Sequence, residues 1–174
     1  MNQQLRENAI RAMEDYFHST TPKAEERIAH TLSVLSNAER ILDGEKVTSV
    51  FIEQTVVFGA LFHDIGIPEA ERKYDSSEPE YQHREGPPIT RARLGELGVR
   101  PDVLERTCYI VANHHTRAKI DNVDFQIVYE ADYLVNTASA RKVHSEGSAK
   151  AVVPQSYDEH LHSATAIRLA NQLK

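Results

Sequence analysis

Residues 50–66 read VFIEQTVVFGALFHDIG. The apolar run over 50–62 is too long for a typical strand of about five or six residues, and Ile52, Val56 and Gly59 recur along it at helical spacing. A segment that is apolar on nearly every side fits a helix buried inside a bundle. The pattern predicts a helix over 49–63 that breaks at Gly66 and Pro68. His63 continues the core-facing stripe, and Asp64 lies roughly 100° further round. Both side chains reach one point only at the rim of the core, beside the helix end.

Outward from this segment the periodicity is helical almost throughout. Leu5, Ala9, Ala12, Met13 and Tyr16 place a helix over 2–17. Thr21-Pro22 reads as a cap plus first-turn proline for a helix to about Leu42. Residues 65–88 contain Pro68, Pro79, Gly86, Pro87 and Pro88, which predicts a long irregular loop of the kind that carries function. A short helix over 89–97 is expected next. Asp102 and Glu105 match a capping box for a helix to about His114. Asp124 reads as the cap of another, to about Asn136. The Ser-, Gly- and Lys-rich stretch 138–157 reads as a mobile loop, and Ser156 with Glu159 as a second capping box before a last helix to Leu173. No strand pattern and no repeat occurs. The expectation is one all-α domain over 1–174.

The chain has 174 residues, 40% hydrophobic and 26% charged, the composition of a globular domain with a core. Its single cysteine, Cys108, excludes an intrachain disulfide and a thiolate zinc site. A net charge of −6 disfavours general nucleic-acid binding. No apolar run approaches the roughly 20 residues of a membrane helix, and the N-terminus lacks a signal-peptide core. A cytoplasmic protein is expected, with no membrane partner. Apolar residues from Leu5 to Phe17 can pack on the domain or on a second copy, as in a homo-oligomer. Nine histidines are present, and histidine is the commonest metal ligand.

The informative residues are ionisable ones on apolar stripes, because burying one alone is costly. His30 shares a face with Val34 and Ile41; alone, it reads most simply as a core histidine bonded to a carbonyl. His114 and His115 follow Val111 by three and four residues. Asp132 interrupts the stripe of Val128 and Val135, where a salt bridge is the bland reading. His83 lies in the predicted loop. One cause accounts for all of them together: a metal centre inside a helical bundle. Imidazole with carboxylate suits zinc, iron, manganese or nickel. Two carboxylates and at least four imidazoles exceed the need of one tetrahedral ion, so one or two divalent ions fit, the second case bridged by Asp64. His18, His144, His160 and His162 read as surface residues.

The order His30, His63-Asp64, His83, His114-His115, Asp132 resembles the HD-domain metal-dependent phosphohydrolase superfamily, over about 26–136. GALFHDIG is similar to its defining motif, and Asp132 in YEADYLVN to its distal aspartate. The resemblance implies an HD-like helical bundle with a metal core of His30, His63, Asp64 and Asp132. His83, or Glu85 in its place, and His114, His115 or both would hold a second ion. It also implies hydrolysis of a small phosphorylated substrate, a nucleotide among the candidates. Asp64 would orient the attacking water. Members of the family often carry lysine after HDIG, whereas this chain has Ile67; Lys73, or Arg72, stands in as the catalytic cation. Arg72, Lys73, Arg84 and Arg117 are candidates to bind substrate charge, and Arg141 and Lys142 could border the pocket. No GYP element follows His115, and residues 67–68 are Ile-Pro, which sets the chain apart from two nucleotide-signalling branches. The histidine pattern is closer to the diadenosine tetraphosphate branch. A di-iron oxygenase on the same scaffold and a silent metal- or nucleotide-binding module are the competing readings.

Overall fold

The structure is a computed structural model and describes residues 1–145 and 160–173. Among these residues every regular element is helical: α1 (Gln3–Thr20), α2 (Ala24–Gly44), α3 (Val50–Phe62), α4 (Ile67–Tyr74), α5 (Pro79–Glu96), α6 (Pro101–Val111), α7 (Val123–Ser145) and α8 (Ala164–Gln172), with a 3-10 turn at Arg117–Lys119.

α3 forms the axis of the bundle. Thr55 to Phe62 are all buried, as its all-round apolar character requires. α2, α6 and α7 pack around it. A Cβ at Gly59 would lie 3.0 Å from Val128 and 3.4 Å from Ile110, so the missing side chain lets α7 and α6 approach. The segment Val50–Tyr74 is apolar enough for a membrane span by composition, but most of it is buried inside the protein. Ala9, Met13, Tyr16 and Phe17 turn α1 onto the domain, against α2 and α3.

The predicted loop over 65–88 is instead largely helical. α4 spans Ile67–Tyr74, and α5 begins at Pro79 and runs through Pro87-Pro88. Pro68, Pro79 and Pro101 sit in the first turns of α4, α5 and α6, where a missing N–H costs nothing. The interior prolines cost more. Close packing of the two segments opposes that cost: a Cβ on Gly66 would collide with the Gln82 carbonyl and come within 2.6 Å of the Gly86 nitrogen. Helix α4 closes at Asp75, whose φ of 52° is left-handed.

Four helix starts also differ from expectation. α2 begins at Ala24 with Lys23 at its N-cap, so Thr21 and Pro22 lie in the turn before it and do not cap or open the helix. α6 starts at Pro101, with Asp102 paired to Arg100 and Glu105 to Arg91. Asp124 is fully buried inside the first turn of α7. It takes Arg106 at 2.8 and 2.7 Å and Thr55 at 3.1 Å, tying α7 to α6 and α3. α7 continues to Ser145, so the first part of the predicted loop 138–157 is helix; the rest of that loop, with Ser156 and Glu159, lies outside the described residues. α8 starts at Ala164, capped by Ser163. Buried Glu130 accepts from the Ser163 backbone at 3.0 Å and binds its hydroxyl and the His162 amide, fastening α8 to α7.

Candidate metal centre

Five helices deliver the ionisable residues to one place. His30 comes from α2, His63 caps α3 with Asp64 next to it, and His83 comes from α5. His114 and His115 follow the end of α6, and Asp132 comes from α7. The ends of α3 and α6 use the same device. His63 Nδ1 lies 2.8 Å from the Ala60 carbonyl, and His114 Nδ1 lies 2.9 Å from that of Val111. A carbonyl can only accept, so each Nδ1 carries a proton and each Nε2 is the atom turned to the carboxylates. Both helices also end here with the negative pole of their dipole, which favours a cation.

The ligand atoms form two groups, His30 with His63 and Asp132, and His83 with His114 and His115. In the first, His30 Nε2 lies 3.2 Å from His63 Nε2 and 3.2 Å from Asp132 Oδ1. His63 Nε2 lies 3.7 Å from Asp132 Oδ1. The second group keeps its donor atoms within 4.8 Å of one another. Asp64 stands between them. Its Oδ2 faces His63 at 3.4 Å and His30 at 3.6 Å, and its Oδ1 faces His114 at 3.4 Å.

These residues fit a metal. Atoms sharing one ion at about 2.1 Å stand roughly 3.0–3.4 Å apart, and the first group is near that spacing. His83 Nε2 and His114 Nε2 are buried with no hydrogen-bond partner, a cost that a ligand would remove. Charge points the same way. Burial opposes ionisation of Asp64, yet His63 and His114 hold its carboxyl well below the usual range. Burial likewise opposes ionisation of Asp132, and His30 and His63 hold it down. Burial alone would lower His63, but Asp64 and Asp132 outweigh it and push His63 up to about 9. His83 is pushed down to about 4 by burial and by His114. It is therefore neutral near pH 7, as a ligand must be.

The two alternatives left open by the sequence are placed distinctly. Glu85 is turned away from the histidines: Lys73 binds one oxygen at 2.6 Å and the Tyr74 hydroxyl binds the other at 2.8 Å. His83 stacks beside His115 and edge-on to His114. Both members of the histidine pair join the second group, His114 buried and His115 exposed.

The candidate cations stand outside these groups. Lys73 also pairs with Glu69 at 3.1 Å, and Arg72 pairs with Glu69 at 2.7 Å. Arg84 lies over the Tyr74 ring. Arg117 is exposed on the 3-10 turn, two residues past His115. The side chains of Arg141, Lys142 and His144 lie outside the described residues. His18 is exposed against Glu25. His160, expected on the last helix, precedes it and is half-buried, stacked on Tyr133 and 2.8 Å from the Tyr129 hydroxyl.

Three further residues carry no motif. Glu26, Arg27 and Asn136 line a pocket of about 220 Å³ together with His30 and Asp64. Asn136 donates to Asp132 Oδ1 at 3.0 Å. Helical spacing was the available signal, since Arg27 precedes His30 by three and Asn136 follows Asp132 by four. A larger groove, about 620 Å³, runs between α2, α7 and α8, and none of the described histidines lines it.

The family model described as HD domain matches residues 27–137. A crystal structure of a predicted HD superfamily hydrolase from an uncultured Thermotogales bacterium is similar in fold, with a TM-score of 0.67 at 19% identity. The match covers 93% of this chain and 83% of that one. No curated protein matches the chain.

Proposed function

The chain belongs to the HD-domain family, and on that premise we propose that it is a metal-dependent phosphohydrolase acting on a phosphate ester. One observation carries this reading: Asp64 turns one oxygen to each histidine group, the arrangement that two neighbouring cations and a shared anionic ligand need. The hydrolase named for the Thermotogales neighbour agrees with it. Bound divalent ions would supply Lewis acidity towards a phosphoryl oxygen and lower the pKa of a water from 15.7 towards roughly 7.

The chain's own residues do the rest. His30, His63, Asp64 and Asp132 would hold one ion, and His83, His114 and His115 with Asp64 the other. The carbonyls of Ala60 and Val111 fix the His63 and His114 rings. In the reaction, water oxygen bonds to phosphorus and the phosphorus–oxygen bond to the leaving alcohol breaks. One proton of the attacking water passes to the leaving oxygen. Arg117 has no ion pair among the described residues and is exposed on the 3-10 turn two residues past His115, so it is the candidate to meet substrate charge. Arg72 pairs with Glu69 within α4, while Lys73 reaches Glu85 on α5, and in this reading Lys73 steadies α4 against α5.

Metal analysis with an ester panel tests the proposal. About two ions per chain are expected, with phosphate released from at least one ester. Asp64→Ala should lose both metal and activity. Oxygen uptake by an iron-loaded chain without phosphate release would overturn the reading, as would full loading with no turnover.

A further inference from the structure

The pocket of about 220 Å³ opens at His30 and Asp64. It is smaller than the roughly 300–1,000 Å³ of a site for a drug-sized ligand. Its lining is Glu26, Arg27, His30, Asp64 and Asn136, so the His30 imidazole is its one ring and no aliphatic side chain lines it among the described residues. A nucleobase bound here would find no apolar wall and no ring but that of His30, which the first ligand group already claims.

Arg27 is the one cation of this lining. Its side chain is 15% exposed. Glu71, across on α4, spends both carboxylate oxygens on a single nitrogen, Nη2, at 2.8 and 2.9 Å. Nε is left buried without a hydrogen-bond partner. A guanidinium held beside a cation site is an electrostatic cost, and a multiply charged anion touching both would reverse it. Glu26 and Asn136 are exposed at the same rim, and both can accept hydrogen bonds from hydroxyl groups.

We propose that the substrate is a small, hydroxyl-rich phosphomonoester, its phosphoryl group held by Arg27 and its hydroxyls read by Glu26 and Asn136. The inference rests on the phosphohydrolase reading, and it names the substrate class.

The test compares ribose 5-phosphate, adenosine 5′-monophosphate and phenyl phosphate on the metal-loaded chain. kcat/KM for ribose 5-phosphate should exceed that for the nucleotide by about tenfold or more. Arg27→Ala should weaken calorimetric binding of inorganic phosphate by about 10- to 100-fold, the loss of a charge-assisted hydrogen bond, with metal content unchanged. Glu26→Ala should raise KM for ribose 5-phosphate several-fold more than for phenyl phosphate. A nucleotide preference, phosphate binding unaltered in Arg27→Ala, or equal losses on both esters in Glu26→Ala would each overturn the inference. If no ester is cleaved at all, the phosphohydrolase reading fails instead, and relative calorimetric affinity for ribose 5-phosphate and the nucleotide still decides the pocket's preference.

Discussion

His114 and His115 are neighbours in sequence and opposites in setting. His114 is 2% exposed and anchored to a carbonyl, while His115 is exposed. Anchoring and burial lower the entropy lost when a ligand is fixed. His114→Ala should therefore cost roughly 10- to 100-fold in affinity for the second ion, with His115→Ala costing less; titration with a metal-sensitive dye would read both, and a reversed order would refute the assignment. The sequence made the core-facing members of the site legible, because a carboxylate such as Asp132 on an apolar stripe demands a partner. It could not distinguish His83 from Glu85, since both lie on one short segment and only Lys73 and Tyr74, folded back from α4, turn Glu85 aside. Arg27 was legible only as a spacing, three residues before His30: an arginine on an amphipathic helix looks like a solvated residue until its pocket exists.

Elements were easiest to read where one periodicity ran unbroken, as in α3, and hardest where glycine and proline carried two meanings. Pro68, Pro79 and Pro101 punctuate the sequence like loop residues, yet each opens a helix. Pro87-Pro88 lies inside α5, where local propensity is outvoted by packing against Gly66. Gly66→Ala forces backbone apart from backbone, and overpacking of this kind costs about 1–3 kcal/mol or more. Tm should fall by roughly 3–10 °C, whereas Gly59→Ala, opposed only by side-chain methyls, should cost less. The junction of α6 and α7 has its own weak point. Arg106→Ala leaves Asp124 buried and without its charged partner, at about 3–5 kcal/mol. Urea denaturation should show this loss, and Arg106→Lys should recover part of it.

Across the whole molecule, stability should pass through a maximum with pH. Arg72 holds Glu69 down to about 2, and Lys73 holds Glu85 below its ordinary value. Groups lowered on folding stabilise above their unfolded pKa, so this contribution fades as pH falls from about 4.5 towards 2. His63, raised to about 9 by its carboxylates, acts in the opposite sense. Its contribution is complete below roughly 6.5 and lost as pH rises through about 9. Tm of the metal-free chain, followed by calorimetry, should therefore decline on both sides, and added divalent cation should remove the alkaline decline by replacing the proton. A flat profile between pH 6.5 and 9 would contradict this. The contact between Gly66 and α5 also has a consequence for mutational tolerance. Every single-base change that replaces a glycine introduces a side chain or a stop, so position 66 has no permitted neighbour in sequence space. Asp64, two residues earlier, should be equally intolerant, but for chemistry instead of room. A saturation scan scored for both cellular abundance and turnover would divide the four-residue motif: changes at 66 deplete the protein itself, while changes at 64 leave abundant, silent molecules.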